Sequence, residues 1–298
     1  MASRSPGASL LVSLRPDQWT KNLIVFAALI FARQLLDPAA LAHASAAFLI
    51  FCALSGAVYL VNDVSDREAD RQHPQKSRRP IASGALSPAV ALAWAGGLSA
   101  GALAAAFALQ PMFAVSAAAY LALFAWYTHS LKHVVIVDVM AIAIGFVLRA
   151  VAGGLVIGVP ISDWLLVCTI LLALFLGLAK RRHEITLLSD GAAGHRRILE
   201  EYDPYLLDQM IAVVAAATLV AYIIYCTSPE THARFGTSLL VLTTPFPIYG
   251  IFRYLYLVHR KQGGGSPSDM LVRDRPLLSC VALWGLAVVL IIYRPFGS

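Results

Sequence analysis

Nine apolar runs dominate the chain, at about residues 22–36, 41–61, 88–109, 112–128, 134–157, 163–179, 207–228, 236–258 and 277–293. Each lies near the ~20 residues a helix needs to cross a hydrocarbon core; the first and fourth are short. Backbone in lipid must satisfy its own hydrogen bonds, so runs of this length fold as helices. Only 13% of the 298 residues are charged and the mean hydropathy is +0.71, against about 25% charged in a soluble domain. The sequence therefore predicts an all-α polytopic membrane protein and gives no reason to expect a nucleic-acid partner. With the amino terminus inside, 19 of the 23 Lys and Arg fall on inner segments. Arg33, Arg234 and Arg294 fall on outer ones, and Arg149 lies within a span. That bias is the positive-inside pattern. It predicts a cytoplasmic amino terminus, an outer carboxyl terminus and long cytoplasmic connections at 62–87, 180–206 and 259–276. Residues 1–14 lack the apolar core of a signal peptide. No soluble domain is expected, so 1–298 reads as one transmembrane domain. Gly263-Gly264-Gly265-Ser266-Pro267-Ser268 has the composition of a flexible linker.

The second span runs directly into Asn62-Asp63-Val64-Ser65-Asp66-Arg67-Glu68-Ala69-Asp70. On a continuing helix Asn62, Asp63, Asp66 and Asp70 fall at roughly 0°, 100°, 40° and 80°, which is one face. Three carboxylates and an amide repel one another unless a cation lies between them. Oxygen-only ligands select a hard ion, so Asn62, Asp63, Asp66 and Asp70 are expected to hold Mg²⁺. Such an ion usually completes its shell with water and substrate phosphates. Lys76-Ser77-Arg78-Arg79-Pro80 follows closely. Carboxylates for Mg²⁺ beside cations for phosphate predict a diphosphate site at a membrane surface.

Other polar groups sit at span ends. Arg15-Pro16-Asp17-Gln18-Trp19-Thr20-Lys21-Asn22 reads as an interfacial segment from which Lys21 and Asn22 reach headgroup level. Tyr127-Thr128-His129-Ser130-Leu131-Lys132-His133 is an inner turn carrying Lys132, a phosphate contact. His129 and His133 are four apart but lack an acidic third ligand, so zinc is not expected. Asp138 and Arg149 lie inside the fifth span, roughly 16 Å apart along one helix, so each needs a partner elsewhere. Asp138 is expected to join the metal site or to pair with Lys132. The four cysteines, Cys52, Cys168, Cys226 and Cys280, lie in apolar runs without metal spacing and are expected to be reduced thiols.

These motifs resemble the UbiA superfamily of intramembrane prenyltransferases over nearly the whole chain. Asn62-Asp63-x-x-Asp66-x-x-x-Asp70 is similar to its first acidic motif, and Arg79-Pro80-Ile81-Ala82-Ser83-Gly84 to the RPxxxG that follows. The resemblance implies a nine-helix UbiA-like bundle and a transferase. Aromatic prenyltransferases of the superfamily carry a second DxxxD after span six. Here that position reads Lys180-Arg181-Arg182-His183-Glu184, which suits a donor with a further phosphate. The chain looks like the decaprenyl-phosphate phosphoribosyltransferase branch at Arg15-Pro-x-x-Trp19-x-Lys21-Asn22, Tyr127-x-x-x-Leu131-Lys132-His133, Asp138, Gly145-Phe146-x-x-Arg149-x-x-Ala152-Gly153-Gly154 and Lys180-Arg181-x-x-Glu184.

That resemblance implies Mg²⁺-dependent transfer of 5-phosphoribose from phosphoribosyl diphosphate to a polyprenyl (decaprenyl) phosphate, with release of diphosphate. The product would feed arabinosyl-donor synthesis at the cytoplasmic face of a bacterial plasma membrane. Asp63, Asp66 and Lys132 are the expected catalytic residues. Lys21, Asn22, Arg67, Lys76, Arg78, Arg79, Tyr127, Lys132, Arg149, Lys180, Arg181 and Glu184 are the expected substrate-binding residues. Self-association into a homo-oligomer is left open. The competing readings are prenyl transfer to an aromatic acceptor, which the first acidic motif supports equally, and a transporter, for which no inverted repeat is apparent.

Overall fold

Proline placement starts most of the helices. Ser5-Pro6, Asp37-Pro38, Ser87-Pro88, Gln110-Pro111, Asp203-Pro204 and Ser228-Pro229 each put a capping side chain before a Pro in the first turn. In all six the cap accepts a backbone N–H from two or three residues on, for example Asp37 from Ala39 at 2.9 Å and Asp203 from Leu206 at 3.1 Å. Pro loses nothing there, because its missing N–H would have no intrahelical partner.

The computed structural model describes residues 5–73, 76–189, 201–260 and 267–293, and their regular structure is helical throughout. Helix α1 (Pro6–Leu14) precedes a 3-10 segment, Pro16–Phe26, and the short α2 (Ala27–Phe31). Then come α3 (Pro38–Ser65), α4 (Arg67–Gln72), α5 (Pro88–Leu109), α6 (Pro111–His129), α7 (Val137–Val156) and α8 (Asp163–Ser189). The chain closes with α9 (Pro204–Thr227), α10 (Pro229–Phe235), α11 (Pro245–Arg260), α12 (Pro267–Arg273) and α13 (Arg275–Tyr293). Seven of these, α3, α5 to α9 and α13, are long and apolar enough to span a bilayer. Helix α10 with Leu239–Arg260 makes an eighth if the pair, bent by 101°, is one crossing. This is an integral membrane protein.

Two expected spans thus take another form. The run 236–258 starts at the bend, and from Leu239 it continues as a 3-10 turn and then α11. The run 22–36 is not one helix but the 3-10 segment and α2, pinned at both ends. Asn22 is buried at one end. At the other, Arg33 turns to φ 59 and donates to the Phe235 carbonyl at 2.6 Å, while the Leu35 N–H donates to the Tyr293 hydroxyl at 2.9 Å. In the linker expectation, 263–266 lie outside the described residues, whereas Pro267 and Ser268 open α12.

Helix α7 is the axis of the bundle, because two cores share it. Its Ala152 and Val156 pack with Phe51, Phe113 and Tyr120 of α3 and α6. Its Val139 packs with Phe175, Leu207 and Tyr254 of α8, α9 and α11. The 3-10 segment reaches this axis only because Gly153 lacks a side chain. A Cβ there would lie 2.1 Å from the carbonyl oxygen of Val25, a backbone atom that cannot swing aside. We expect Gly153→Ala to destabilise the detergent-solubilised protein by about 1–3 kcal/mol, the usual cost of overpacking. Gly97→Ala, with nothing within 4 Å of its Cβ position, should be neutral or slightly stabilising. Equal melting temperatures for the two variants would sink this account of the contact.

Candidate active site

Three charged clusters occupy the polar ends and the interior of the bundle. The first forms where α3 leaves the apolar zone. The helix breaks at Asp66 (φ −91, ψ 6) before α4. Hydrogen bonds from Asp66 N–H to the Asn62 carbonyl (2.9 Å) and from Asp70 N–H to the Asp66 carbonyl (2.8 Å) keep the helical register across the break. Asp63 and Asp70 therefore stay close enough to share one guanidinium. Arg79 donates to Asp63 at 3.1 Å and to Asp70 at 2.6 Å. Asp63, buried, also takes Arg15, which ends α1 in the left-handed region (φ 53) and stacks on the Tyr59 ring at 4.7 Å. Asp66 is held by Lys132 at 2.6 Å and by the Asn62 amide nitrogen at 3.1 Å. Lys132 comes from the 3-10 turn Leu131–His133 after α6 and is buried.

The donor chemistry fits a divalent cation. The set is oxygen only, and Asn62 Oδ1 is a buried acceptor with no partner among the described residues. A carbonyl oxygen so placed suits a hard ion. Among the described residues no three Asp, Glu, His or Cys side chains already converge as a metal set. The physical reason is that each carboxylate is engaged by an internal cation, Arg15, Arg79 or Lys132.

The second cluster lies across the same end of the bundle. Arg181 of α8, buried, donates to Asp138 of α7 at 2.7 Å, to Glu184 one turn on, and to the Tyr127 hydroxyl at 3.4 Å. Lys180 flanks Glu184 at 3.8 Å. Tyr202 donates to the other Asp138 oxygen at 2.8 Å and accepts the Ile136 N–H at 2.6 Å. Burial raises the Tyr202 phenol above its ordinary pKa, which keeps it a donor. The third cluster is deeper. Arg149 donates to Asn22 Oδ1 (2.7 Å), the Gly145 carbonyl (3.0 Å) and the Tyr120 hydroxyl (2.7 Å). Lys21 precedes Asn22 and is half-buried.

The structure thus brings Asn62, Asp63, Asp66, Asp70, Arg79 and Lys132 together. It gathers Tyr127, Lys180, Arg181 and Glu184 into the second cluster, and Lys21, Asn22 and Arg149 into the third. Arg67 adjoins the first with a buried Nε that has no partner among the described residues. Lys76 and Arg78 lie on the 3-10 turn Lys76–Arg78, where Arg78 is exposed. One expectation is corrected: Asp138 pairs with Arg181 and Tyr202, because Lys132 is already committed to Asp66. Sequence reasoning did not single out Arg15, Tyr120 or Tyr202 as site residues. Arg15 had a signal in its place beside Pro16 and the interfacial Trp19; Tyr202, far along the chain, had none.

Tyr202→Phe leaves both the Ile136 N–H and one Asp138 oxygen short of a partner, at a residue whose φ of 69 is unfavourable for a β-branched side chain. The expected loss of stability is on the order of 1–3 kcal/mol, read as a lower midpoint of thermal unfolding in detergent. Tyr205→Phe, at a 70% exposed position, should leave the midpoint unchanged. An unchanged midpoint for Tyr202→Phe would remove the tyrosine from the network.

Comparison with known proteins agrees with this architecture. The sequence profile of the UbiA prenyltransferase family matches residues 22–271. The chain is 32% identical over 289 residues to the decaprenyl-phosphate phosphoribosyltransferase of Corynebacterium glutamicum, covering 95% of this chain and 86% of that protein. It is 34% identical over 283 residues to the protein of the same name from Mycobacterium tuberculosis, covering 93% and 92%. A UbiA homolog from Archaeoglobus fulgidus, solved bound to DMAPP and Mg²⁺, superposes with a TM-score of 0.73 over 94% of this chain and 99% of that one. At 20% identity that likeness speaks to the fold. With a family profile spanning most of its length and an all-helical bundle of the same shape, the chain belongs to the UbiA prenyltransferase family.

Proposed function

We propose that the protein transfers 5-phosphoribose from phosphoribosyl diphosphate to a polyprenyl phosphate, releasing diphosphate, at the cytoplasmic face of a bacterial plasma membrane. The observation that carries the reading is that an acidic cluster engaged by Arg15, Arg79 and Lys132 shares the polar end of the bundle with a second cluster built on Arg181, with Arg149 deeper in the same bundle. Such a site suits a diphosphate, a 5-phosphate and a lipid phosphate together. The relatives at 32–34% identity carry the name of this reaction. The reading takes the amino terminus as cytoplasmic. It counts the 3-10 segment with α2 as a crossing and the bent pair as another, for nine in all.

Asn62, Asp63, Asp66 and Asp70 would hold Mg²⁺, which when bound supplies neutralising charge to the leaving diphosphate. Arg79 and Lys132, released from Asp63, Asp70 and Asp66, stand ready to bind diphosphate oxygens. Arg67 offers its unpartnered Nε to the same group. Lys76 and Arg78 add positive field at the rim. The C1–O bond breaks with its electron pair leaving on diphosphate, and the ribose becomes oxocarbenium-like. An oxygen of the lipid phosphate, anionic at neutral pH, bonds to C1, so no side chain has to take a proton. Arg181, fixed by Asp138, Glu184 and Tyr127, and Lys180 beside it provide charge for the donor's 5-phosphate. Orientation and electrostatics supply most of the acceleration.

The test uses purified protein, Mg²⁺, labelled phosphoribosyl diphosphate and decaprenyl phosphate. Label is expected in the lipid phase. It should fall at least a hundredfold in Asp63→Ala and Asp66→Ala, and vanish with EDTA until Mg²⁺ is restored. No label, alongside turnover of a prenyl diphosphate with an aromatic acid, would replace this reading with prenyl transfer.

A further inference from the structure

Arg15 occupies a costly place in the chain. Its backbone is left-handed, φ 53 and ψ 65, at the end of α1. That region suits Gly, which has no Cβ to clash, and the residue before a Pro ordinarily takes extended backbone. Strain of this kind collects at functional sites. The side chain accounts for the choice of residue. Its guanidinium donates to Asp63 Oδ1, 48 residues away in sequence, and lies over the Tyr59 ring at 4.7 Å. Helix α1 aims it. Leu10 and Leu14 pack on the core around Leu60 and Ile81. Leu14 sits so close to α3 that a Cβ on Gly56 would come within 2.8 Å of its Cδ2.

The acidic cluster that Arg15 joins is electrically balanced. Asp63, Asp66 and Asp70 meet Arg15, Arg79 and Lys132, so three negative charges face three positive ones. Arg67, whose buried Nε has no partner among the described residues, adds a further positive charge beside them. Three bare carboxylates would attract a divalent cation strongly; this set presents no net negative charge to it. The pairing is also uneven. Asp63 Oδ1 accepts from both Arg15 and Arg79, and Arg79 serves Asp70 as well. Arg15 is therefore the one cation of the three that can leave with every carboxylate still paired. Its side chain is 23% exposed, and the Tyr59 face gives the guanidinium a second hold.

We propose that Arg15 is an internal counter-ion that competes with the divalent cation for Asp63, so that the ion enters only with an anion that takes Arg15 over. A diphosphate has that chemistry: it carries several charged oxygens, enough to serve Arg15, Arg79 and Lys132 together. Metal and diphosphate then strengthen each other's binding, and by linkage they do so equally. Arg15 acts through Asp63 and is a positioning residue. This rests on the reading of the acidic cluster as the place of Mg²⁺ and diphosphate, and is independent of which group is transferred.

The test titrates Mn²⁺, a spectroscopic substitute for Mg²⁺, into the whole chain in detergent and reads free Mn²⁺ by electron paramagnetic resonance. It is run with and without inorganic diphosphate, after allowance for the complex the two form in solution. Wild-type protein should bind Mn²⁺ at least tenfold more tightly with diphosphate than without. Arg15→Gln should bind Mn²⁺ alone at least tenfold more tightly than wild type, since one positive charge has left the carboxylates, and should lose most of the gain from diphosphate. Arg15→Lys keeps the charge and should behave as wild type. Arg234→Gln, at an exposed position on α10, should do the same. A wild-type affinity for Mn²⁺ that diphosphate leaves unchanged would overturn the proposal without recourse to any variant. Unchanged or weaker Mn²⁺ binding by folded Arg15→Gln would also overturn it, and would make Arg15 an orienting partner of Asp63 instead. The experiment contains neither ribose nor lipid, so its outcome and that of the labelled transfer assay are read separately.

Discussion

Asp63 closes the polar end of the bundle. It is 2% exposed at the end of a helix whose preceding turns are apolar. An isolated carboxylate there would be strongly disfavoured. Arg15 and Arg79 answer it, and each brings a segment with it. Arg15 draws in α1 and the start of the 3-10 segment. Arg79 draws the 76–86 loop over the helix end and adds Asp70 to the same contact. Buried ion pairs often add little net stability, because desolvation offsets the attraction. Their contribution here is geometric: four charged groups from three chain segments hold one arrangement.

The same logic places the second cluster. Asp138 is wholly buried at the start of α7 and would be untenable without Arg181 from α8. Tyr202, from the stretch before α9, occupies the remaining oxygen and also caps the strained Ile136. Three separate segments thus meet at one carboxylate. The stretch 180–184 near the end of α8 meets this carboxylate. Here the position presents a guanidinium held in place by its own counter-charges. Two cations and two carboxylates balance there, Lys180, Arg181 and Glu184 from α8 and Asp138 from α7.

Close approach of backbone to backbone is the other organising constraint. In lipid the hydrophobic effect does not drive helices together, so contact depends on small residues and interhelical hydrogen bonds. Gly153 lets the 3-10 segment lie on α7, and Asn22 then reaches Arg149. A steric allowance at one glycine therefore decides where an amide and a buried cation stand. It also explains why this first apolar run is not an ordinary span: its polar residue is held within the protein.

Composition and hydrophobic run length alone determined that the chain is helical and lies in a membrane, because bilayer thickness and backbone hydrogen bonding leave few alternatives. Helix starts were readable as well, from Ser, Asp or Gln before Pro. The spacing of Asn62, Asp63, Asp66 and Asp70 made an acidic stretch legible, and the structure joins Asn62 to Asp66 and bridges Asp63 to Asp70 through Arg79. Contacts between distant segments were not readable. No local pattern says that Lys132 takes Asp66 rather than Asp138, that Arg15 reaches Asp63, or that Tyr202 closes the second cluster. Those pairings follow from which helices lie side by side. Nor did run length reveal that 22–36 is a pinned 3-10 segment and that 236–258 meets α10 at a sharp bend, because hydropathy records what tolerates lipid and not what a neighbouring helix pulls out of register. Tertiary structure alone decided which cations meet carboxylates, as Arg15, Arg79, Lys132 and Arg181 do, and that Arg149 is held by Asn22, Gly145 and Tyr120 instead.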